Sequence, residues 1–513
     1  MLRPSAASSA SSAAILLMFS TMLAGILGLV RTKYINLIFG VGPETDAYNA
    51  AFQLPDMISY FLVGGVASIS LVTILNRYKA RGDEEGGDRA LSIVLNAMVV
   101  VLSIGILLAE VFAPYYTATF FKGFGPYEAA LCTRLTRIVL PGQLFFFFGG
   151  VIGSRLLARK IFLYQAIWPL IYTLGIILGG VFLHQRFGIY SLAIGVLIGA
   201  FLGPTVLNLY GALHDGFRYH AILNFRHPAF REWFKLTVPL MVGVSLVTAD
   251  TWIFSYFASG APGGITLLKT AKTLFTAPVQ VLGQAAGAAS LPFFSALFAQ
   301  GKLSEFNVAV NRAVSRVLAA SLLLCAWLIA LATPLVDLFR GGKFNLEDTH
   351  SLTLYFTIFT LSISFWAVQG IYARGFYAAG NTITPATVGW SVTLVSIPIY
   401  RALNHAAGLT GLAIASDIGI IIQTVTLIVL LNRKRMVLVS GIEGSEVIRA
   451  FFAAIVSFAA AWAVVRYIPL PHTHTADFAT LAAGSLAWAV AAFIVLRLTG
   501  SKLINQLTSR FQR

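Results

Sequence analysis

Fourteen apolar stretches, each about as long as a bilayer-crossing helix, follow one another through the 513 residues of this chain. A helix needs roughly 20 mostly apolar residues to cross the hydrocarbon core of a bilayer, so these stretches take up more than half of the sequence. Charged residues make up only 11% of the chain and apolar residues 58%, whereas a soluble chain needs more polar surface than that. The sequence therefore predicts a polytopic membrane protein.

The length of the apolar runs also predicts the fold class. Only helices and closed barrels satisfy the backbone in lipid, and these runs are too long and too continuous for barrel strands. We therefore predict an all-α fold with about 14 transmembrane helices. The predicted spans are residues 14–34, 48–75, 90–114, 129–157, 161–184, 188–212, 234–259, 264–298, 308–338, 350–379, 382–403, 408–432, 447–468 and 477–498.

The net charge of +16 is explained by topology. Basic residues concentrate in alternate loops, as in the cluster between Arg77 and Arg89 and the run from Arg433 to Arg435. Loops that carry such an excess of Lys and Arg are cytoplasmic in membrane proteins. We therefore expect both termini in the cytoplasm and no nucleic-acid partner.

An internal repeat divides the spans into two sets. Pro55 precedes Gly64 by nine residues in the second span, and Pro278 precedes Gly287 by nine residues in the eighth. Proline and glycine at matching positions of two halves are typical of transporters whose interrupted helices line a binding site. We expect these four residues to break their helices and to act in gating.

The repeat predicts two pseudo-symmetric six-helix lobes followed by two further helices. The predicted parts are an N-terminal lobe at residues 1–212, an interfacial linker helix on the cytoplasmic side at 213–235, a C-terminal lobe at 236–433, and helices 13 and 14 with a cytoplasmic tail at 434–513. Mixed basic and aromatic residues in the linker suit contact with lipid headgroups.

Ionisable residues within spans are costly and usually face a cavity or a partner. Basic groups in the spans favour an anionic substrate, since arginine offers paired donors and lysine a point charge to a phosphate. No catalytic or metal-ligating constellation accompanies them, so we expect transport without a cofactor, not enzymatic catalysis. The candidate substrate-binding residues are Arg31, Asp46, Lys269 and Lys272, and the candidate ion-coupling residues or charge partners are Asp250 and Asp417.

Two stretches of the chain resemble a known family. The run MFSTMLAGILGLVRTKYINLIFGVGPETDAYNAAFQLPD resembles the N-terminal signature of the MurJ/MviN lipid II flippases, and RGFYAAGNTITP resembles their signature between spans 10 and 11. The pattern of two lobes plus two helices extends the resemblance over essentially the whole chain. This family belongs to the multidrug/oligosaccharidyl-lipid/polysaccharide exporter superfamily.

The resemblance implies a function and a set of partners. Such proteins move the undecaprenyl-pyrophosphate-linked peptidoglycan precursor, lipid II, from the inner to the outer leaflet of the bacterial cytoplasmic membrane by alternating access. It implies a lipid-linked anionic glycan as substrate, membrane lipids and other cell-wall synthesis proteins as partners, and coupling to the membrane potential or to a monovalent cation. Arg31 matches the key arginine of the first span, and Asp46 matches its acidic partner.

The chain departs from the family pattern at three positions where basic residues are usual. Gly25 and Ser59 stand where the family has arginines, and Lys272-Thr273 replaces an Asp-Arg pair. These departures leave two other functions open. One is an ion-coupled exporter of drugs or of another polyprenyl-linked oligosaccharide, and the other is a non-transporting scaffold.

Overall fold

The computed structural model describes residues 10–60, 65–241, 246–467 and 473–503. Gly64 lies outside these ranges. The helices are α1 Ala10–Phe39, α2 Pro43–Ala51, α3 Gln53–Ile58, α4 Gly65–Ala80, α5 Glu84–Phe120, α6 Pro126–Val139, α7 Gly142–Ala158, α8 Leu163–Phe187, α9 Tyr190–Ala200, α10 Asn208–His214, α11 Pro228–Met241, α12 Leu246–Ala258, α13 Gly264–Ala299, α14 Leu303–Ala330, α15 Ala332–Asp337, α16 Leu346–Leu361, α17 Ile363–Ala378, α18 Ile383–Arg433, α19 Gly444–Tyr467 and α20 His474–Leu498. Over these ranges no strand is longer than an isolated bridge, so the predicted all-α class is confirmed.

The described helices include nine that are long and apolar enough to cross a membrane, or ten if α16 and α17 form one bent span. A polytopic membrane protein is therefore confirmed. The count of 14 spans stays a prediction, because length and composition identify a smaller number in the described part of the chain.

Several predicted spans differ from the helices. The span at 350–379 is two helices, α16 and α17, bent by 41°. The spans at 382–403 and 408–432 correspond to the two parts of α18, which are separated where Ala407 and Gly408 leave helical geometry. Gly408 has a φ of 55°, a conformation that glycine adopts without steric cost. A π-helical segment, Phe201–Leu207, joins α9 to α10.

The chain divides into two compact units. Unit 1 contains residues 1–243 and 259–265, and unit 2 contains residues 244–258 and 266–513. Each has an apolar core: in unit 1 it is formed largely by α4, α5 and α7, and in unit 2 by α14, α17 and α18. The predicted subdivision of the second half into a lobe and a helix pair stays a prediction.

Helix ends follow local sequence rules. Pro43 and Pro126 each follow a glycine and open α2 and α6, at a position where the missing N–H of proline has no intrahelical partner to lose. The Asp83 carboxylate accepts a hydrogen bond from Gly86 N at 2.8 Å and so caps α5. Gly40, with a φ of 76°, follows the end of α1, as is common at helix C-termini.

The linker between the lobes is only partly helical, contrary to the prediction for residues 213–235. The chain leaves α10 at His214 and becomes helical again at Pro228. Residues 218–222, here called the linker strap, lie along α5, where Asp88 accepts from Arg218 N at 3.0 Å and Ser92 accepts from His220 N at 3.1 Å. Asn96 donates to the carbonyls of residues 220 and 222. These bonds replace the helical pairing that backbone groups would otherwise need.

Unit 2 contains a matching segment. Residues 438–443, here called the tail strap, lie along α14, where Asn307 accepts from Leu438 N at 2.7 Å and Ser315 accepts from Glu443 N at 3.0 Å. Asn311 donates to the Leu438 carbonyl at 2.9 Å. In both units the side chains that hold the strap are four residues apart and therefore share one helix face.

Candidate substrate and ion-coupling sites

Arg31 lies on α1 in unit 1 and is half-buried. Its charge interacts with two phenols, the buried Tyr48 on α2 and the half-buried Tyr172 on α8. An arginine inside a span needs polar neighbours that tolerate its charge, and the two hydroxyl groups supply them without neutralising it. Arg31 thus lies within electrostatic range of tyrosines from two other helices of unit 1.

Asp46 lies in the first turn of α2 and is 1% exposed. Its backbone N–H donates to Gly42 O at 2.9 Å, within the capped start of the helix. A carboxylate in this position is favoured by the positive end of the helix dipole. The structure therefore places Asp46 where its charge is stabilised, in the same unit as Arg31.

The segment around Pro55 is interrupted. Phe52 separates α2 from α3, and Pro55 is a buried residue of α3. In unit 2, Pro278 and Gly287 both lie inside the single helix α13, although the repeat predicts a break there. The gating role of these prolines and glycines stays a prediction.

Lys272 and Asp250 form a buried ion pair in unit 2. Lys272 on α13 places Nζ 2.9 Å from Asp250 Oδ2 on α12, and the Asp250 side chain is 1% exposed. The other carboxylate oxygen, Oδ1, accepts a hydrogen bond from the Tyr400 hydroxyl group on α18. Lys272 Nζ also donates to Ser416 Oγ at 2.9 Å. Three helices therefore meet at one neutral pair.

Aromatic rings surround the Lys272 ammonium group. Its Nζ lies 4.1 Å from the centre of the Trp366 ring, 4.6 Å from that of Phe359 and 5.4 Å from that of Phe275. Ring faces attract cations, with about 2 kcal/mol or more per contact when the cation is desolvated. The lysine is therefore held by both charge and ring faces.

Asp417 adjoins this pair on α18. Ser362, between α16 and α17, donates a hydrogen bond to Asp417 Oδ1 at 2.6 Å, and the carboxylate is 8% exposed. Asp417 also interacts electrostatically with Lys272 and Asp250. The structure thus brings Asp250, Lys272 and Asp417 into one cluster, in which two carboxylates share one lysine.

Lys269 lies one helical turn before Lys272 on α13 and is half-buried. Its neighbour in this turn, Thr273, donates to the Lys269 carbonyl at 2.8 Å. Residues three apart lie on neighbouring parts of a helix surface, so Lys269 lies near Lys272. The ion pair with Asp250 is formed by Lys272.

Comparison with known proteins identifies the family. A protein-family model described as "Lipid II flippase MurJ" matches residues 35–487. The chain belongs to the MurJ family. The lipid II flippase MurJ of Burkholderia cenocepacia is 26% identical over 81% of this chain and 82% of its own length. The probable lipid II flippase MurJ of Borreliella burgdorferi is 23% identical over 80% of each chain.

Solved structures show that the MurJ fold extends over nearly all of the chain. A lipid II flippase MurJ in an inward closed conformation superposes with a TM-score of 0.77, at 23% identity, over 94% of this chain and 99% of the other. An inward-facing multidrug resistance MATE family transporter of the MOP superfamily gives a TM-score of 0.67 at 16% identity, over 82% and 98%. At these identities the likeness establishes the fold.

Several residues of the two candidate sites were not predicted from the sequence. Tyr48, Tyr172, Tyr400, Ser362, Ser416 and the aromatic rings around Lys272 are uncharged, and nothing in their local sequence distinguishes them from ordinary span residues. Charged residues stand out within an apolar span, whereas uncharged residues that contact them do not. Tyr400 and Ser416 contact the pair because the kinked α18 returns toward α12 and α13, which is a tertiary effect.

Proposed function

We propose that this chain translocates lipid II, the undecaprenyl-pyrophosphate-linked peptidoglycan precursor, from the inner to the outer leaflet of the bacterial cytoplasmic membrane by alternating access. The observation that carries the proposal is the match to the lipid II flippase family across residues 35–487. Transport without covalent chemistry is part of the proposal, because the charged groups of the spans form charge pairs and anion sites and not an acid–base set.

Arg31 is the proposed contact for the pyrophosphate. Its guanidinium group interacts electrostatically with two phenols, whereas the Lys272 ammonium is already paired with Asp250. A guanidinium group offers two parallel donors to phosphate oxygens. Asp46 and Lys269 are proposed as additional residues of the substrate site, with Asp46 balancing the charge of Arg31 when no substrate is bound.

An exporter of drugs or of another polyprenyl-linked oligosaccharide is the second candidate, and the comparisons do not favour it. The MATE transporter shares the fold because it belongs to the same superfamily. The family match and the curated relatives both point to lipid II flippases. A non-transporting scaffold would need neither a charged Arg31 nor a neutralised pair in unit 2.

The energy source is proposed to be the membrane potential or a monovalent cation. One elementary charge that crosses the field gains about 2.3 kcal/mol per 100 mV, which suits an anionic headgroup moving outward. Asp250, Lys272 and Asp417 together carry one excess negative charge when all are ionised. A proton on Asp417, or a monovalent cation beside it, would neutralise this excess, which is costly when buried.

Localisation and partners complete the proposal. The concentration of basic residues in alternate loops supports an orientation with both termini in the cytoplasm. Reporter fusions at the C-terminus test it, since a fluorescent protein should fold there and alkaline phosphatase should stay inactive. Membrane lipids and other cell-wall synthesis proteins are the proposed partners.

Genetic complementation tests the proposed function. In a bacterium depleted of its own lipid II flippase, this chain should restore growth and the export of precursor to the outer leaflet. Arg31→Ala should abolish both while the protein still inserts. Arg134→Ala, which removes an exposed arginine of α6, is the matched control and should complement. If the wild-type chain inserts and precursor still accumulates on the inner leaflet, the proposal is wrong.

A further inference from the structure

The surroundings of Lys272 form a complete binding site for one ammonium group. Oxygen atoms are supplied by the Asp250 carboxylate and the Ser416 hydroxyl group, each 2.9 Å from Nζ. Ring faces are supplied by Trp366, Phe359 and Phe275. These contacts together hold the Lys272 ammonium group in a fixed position.

We propose that Lys272 is a tethered cation, which permanently fills a cation site around Asp250 and does not contact the pyrophosphate of the substrate. The functional part of this inference rests on the proposed lipid II flippase activity. The binding part concerns only the folded protein and is tested by its stability.

The first argument is the charge requirement of Asp250. Its carboxylate is 1% exposed, and Oδ2 lies 2.9 Å from the Lys272 ammonium. The ammonium at 2.9 Å is therefore what balances the charge on that oxygen. Removing one partner of a buried pair is strongly destabilising, because it leaves the other charge uncompensated.

The second argument is the chemistry of the surroundings. Metal cations such as calcium and magnesium are held by six or more oxygen ligands, whereas Lys272 Nζ contacts one carboxylate oxygen, one hydroxyl oxygen and three aromatic faces, with the Asp417 carboxylate nearby. Aromatic faces together with a carboxylate are the environment that organic ammonium groups prefer. The site therefore selects an alkylammonium, and the lysine side chain delivers one at high local concentration.

The third argument is the cost of releasing the lysine. To reach a substrate phosphate, the ammonium would leave the carboxylate, the hydroxyl group and the rings together, and Asp250 would remain buried without a counter-charge. The Lys272 side chain is 11% exposed, so little of it faces open space.

Chemical rescue tests the binding part of the proposal. Lys272→Ala removes three methylene groups and the amine, which n-propylammonium replaces atom for atom. In detergent-purified protein we expect Lys272→Ala to lower the Tm by roughly 10 °C and n-propylammonium chloride to restore most of the loss. The uncharged analogue n-propanol should not restore it, and Lys269→Ala should respond to neither compound. Equal effects of the two compounds, or none, would overturn the proposal.

A double variant tests the functional part. Lys272→Met alone leaves Asp250 uncompensated and should lose both stability and complementation, whereas Asp250→Asn with Lys272→Met removes both charges and should regain both. A double variant that is stable but unable to flip lipid II would show that the amine is needed by the substrate. Full activity of Lys272→Met alone would show that Asp250 needs no counter-charge. Either result contradicts the proposal.

These outcomes stay distinguishable from failure of the proposed function. If the wild-type chain did not complement a flippase-depleted strain, the measured Tm values and their rescue by n-propylammonium would still decide whether Lys272 fills a cation site.

Discussion

Asp88 and Asn307 hold equivalent positions in the two units, and each accepts a hydrogen bond from the backbone N–H that begins a strap. Each is the fifth residue of its helix, α5 or α14, and the donors are Arg218 N and Leu438 N. In both units, the segment that follows the sixth span is therefore hydrogen-bonded to one polar face of an earlier helix, α5 in unit 1 and α14 in unit 2.

The tail strap should loosen locally when its partners are removed one at a time. Asn307→Ala removes the acceptor for Leu438 N, so the amide of Leu438 should exchange with solvent faster, because an unpaired amide is open to water. Ser315→Ala should act in the same way on Glu443 and leave Leu438 unchanged. Hydrogen exchange read by mass spectrometry of peptides from residues 436–444 measures both. Equal acceleration over the whole strap in either variant would contradict separate attachment points.

Arg155 should be the most important charged residue for the stability of unit 1. It is buried and pairs with Asp88 at 2.7 Å and with Asp215 at 2.5 Å. Arg155→Met leaves Asp88 without its cation and Asp215 with Arg159 alone, and we expect a loss of about 3–5 kcal/mol of unfolding free energy. Thermal or urea unfolding in detergent measures it.

Arg159 provides the control for this prediction. It contacts Glu84 and Asp215, and its side chain is 26% exposed, so Arg159→Met should cost clearly less than Arg155→Met. Arg155→Lys should restore only part of the stability, since lysine cannot offer paired donors to two carboxylates. A neutral effect of Arg155→Met would show that the ion cluster contributes little.

The contact between α8 and α9 should depend on small residues. A Cβ atom added to Gly175 or Gly179 would lie 2.6 Å from the Cα of Gly199 or Gly195, so the helix backbones touch. Such close approach is a common basis of helix association in membranes. Gly179→Val should therefore lower the Tm and the folded yield. Gly105→Val, at a position with open space around it, should be tolerated, and an equal loss in both variants would refute this packing argument.

Asp417 should carry the dependence of flipping on a cation or a proton gradient. Asp417→Asn removes the excess negative charge of the cluster while it can still accept the hydrogen bond from Ser362. We expect lipid II flipping in proteoliposomes to become insensitive to the monovalent cation present and to a pH gradient. The dependence on membrane potential should remain, because the charge of the substrate is unchanged. If flipping by the variant still responds to the cation and to the pH gradient, Asp417 is not the residue that couples flipping to them.

Much of the fold could be predicted from the sequence because its main determinants are local. Span length and continuous hydrophobicity predict helices in lipid, and α13 begins and ends within a residue of the predicted span 264–298. The all-α membrane class and the flippase family followed from these patterns and from the signature runs.

The site was predicted only in part. Asp250, Lys272 and Asp417 were identified one by one, because a charge inside an apolar span is conspicuous. Lys272 was assigned to the substrate and Asp250 to coupling, since nothing in the sequence indicates that α12 and α13 place the two side chains 2.9 Å apart. The linker at 213–235 was predicted as a helix from its mixed basic and aromatic residues, but hydrogen bonds to α5 hold residues 218–222 in a different conformation.

The sequence by itself therefore determined that this chain is a helical membrane protein of the MurJ family, with arginine, lysine and aspartate inside its spans. Hydrophobic length and charge are properties of single segments, and a segment carries them wherever it packs. Only the tertiary structure decided which charges neutralise each other and which keep their charge. Pairing depends on the distances between side chains of different helices, and Coulomb energy at low dielectric changes steeply over a few ångströms.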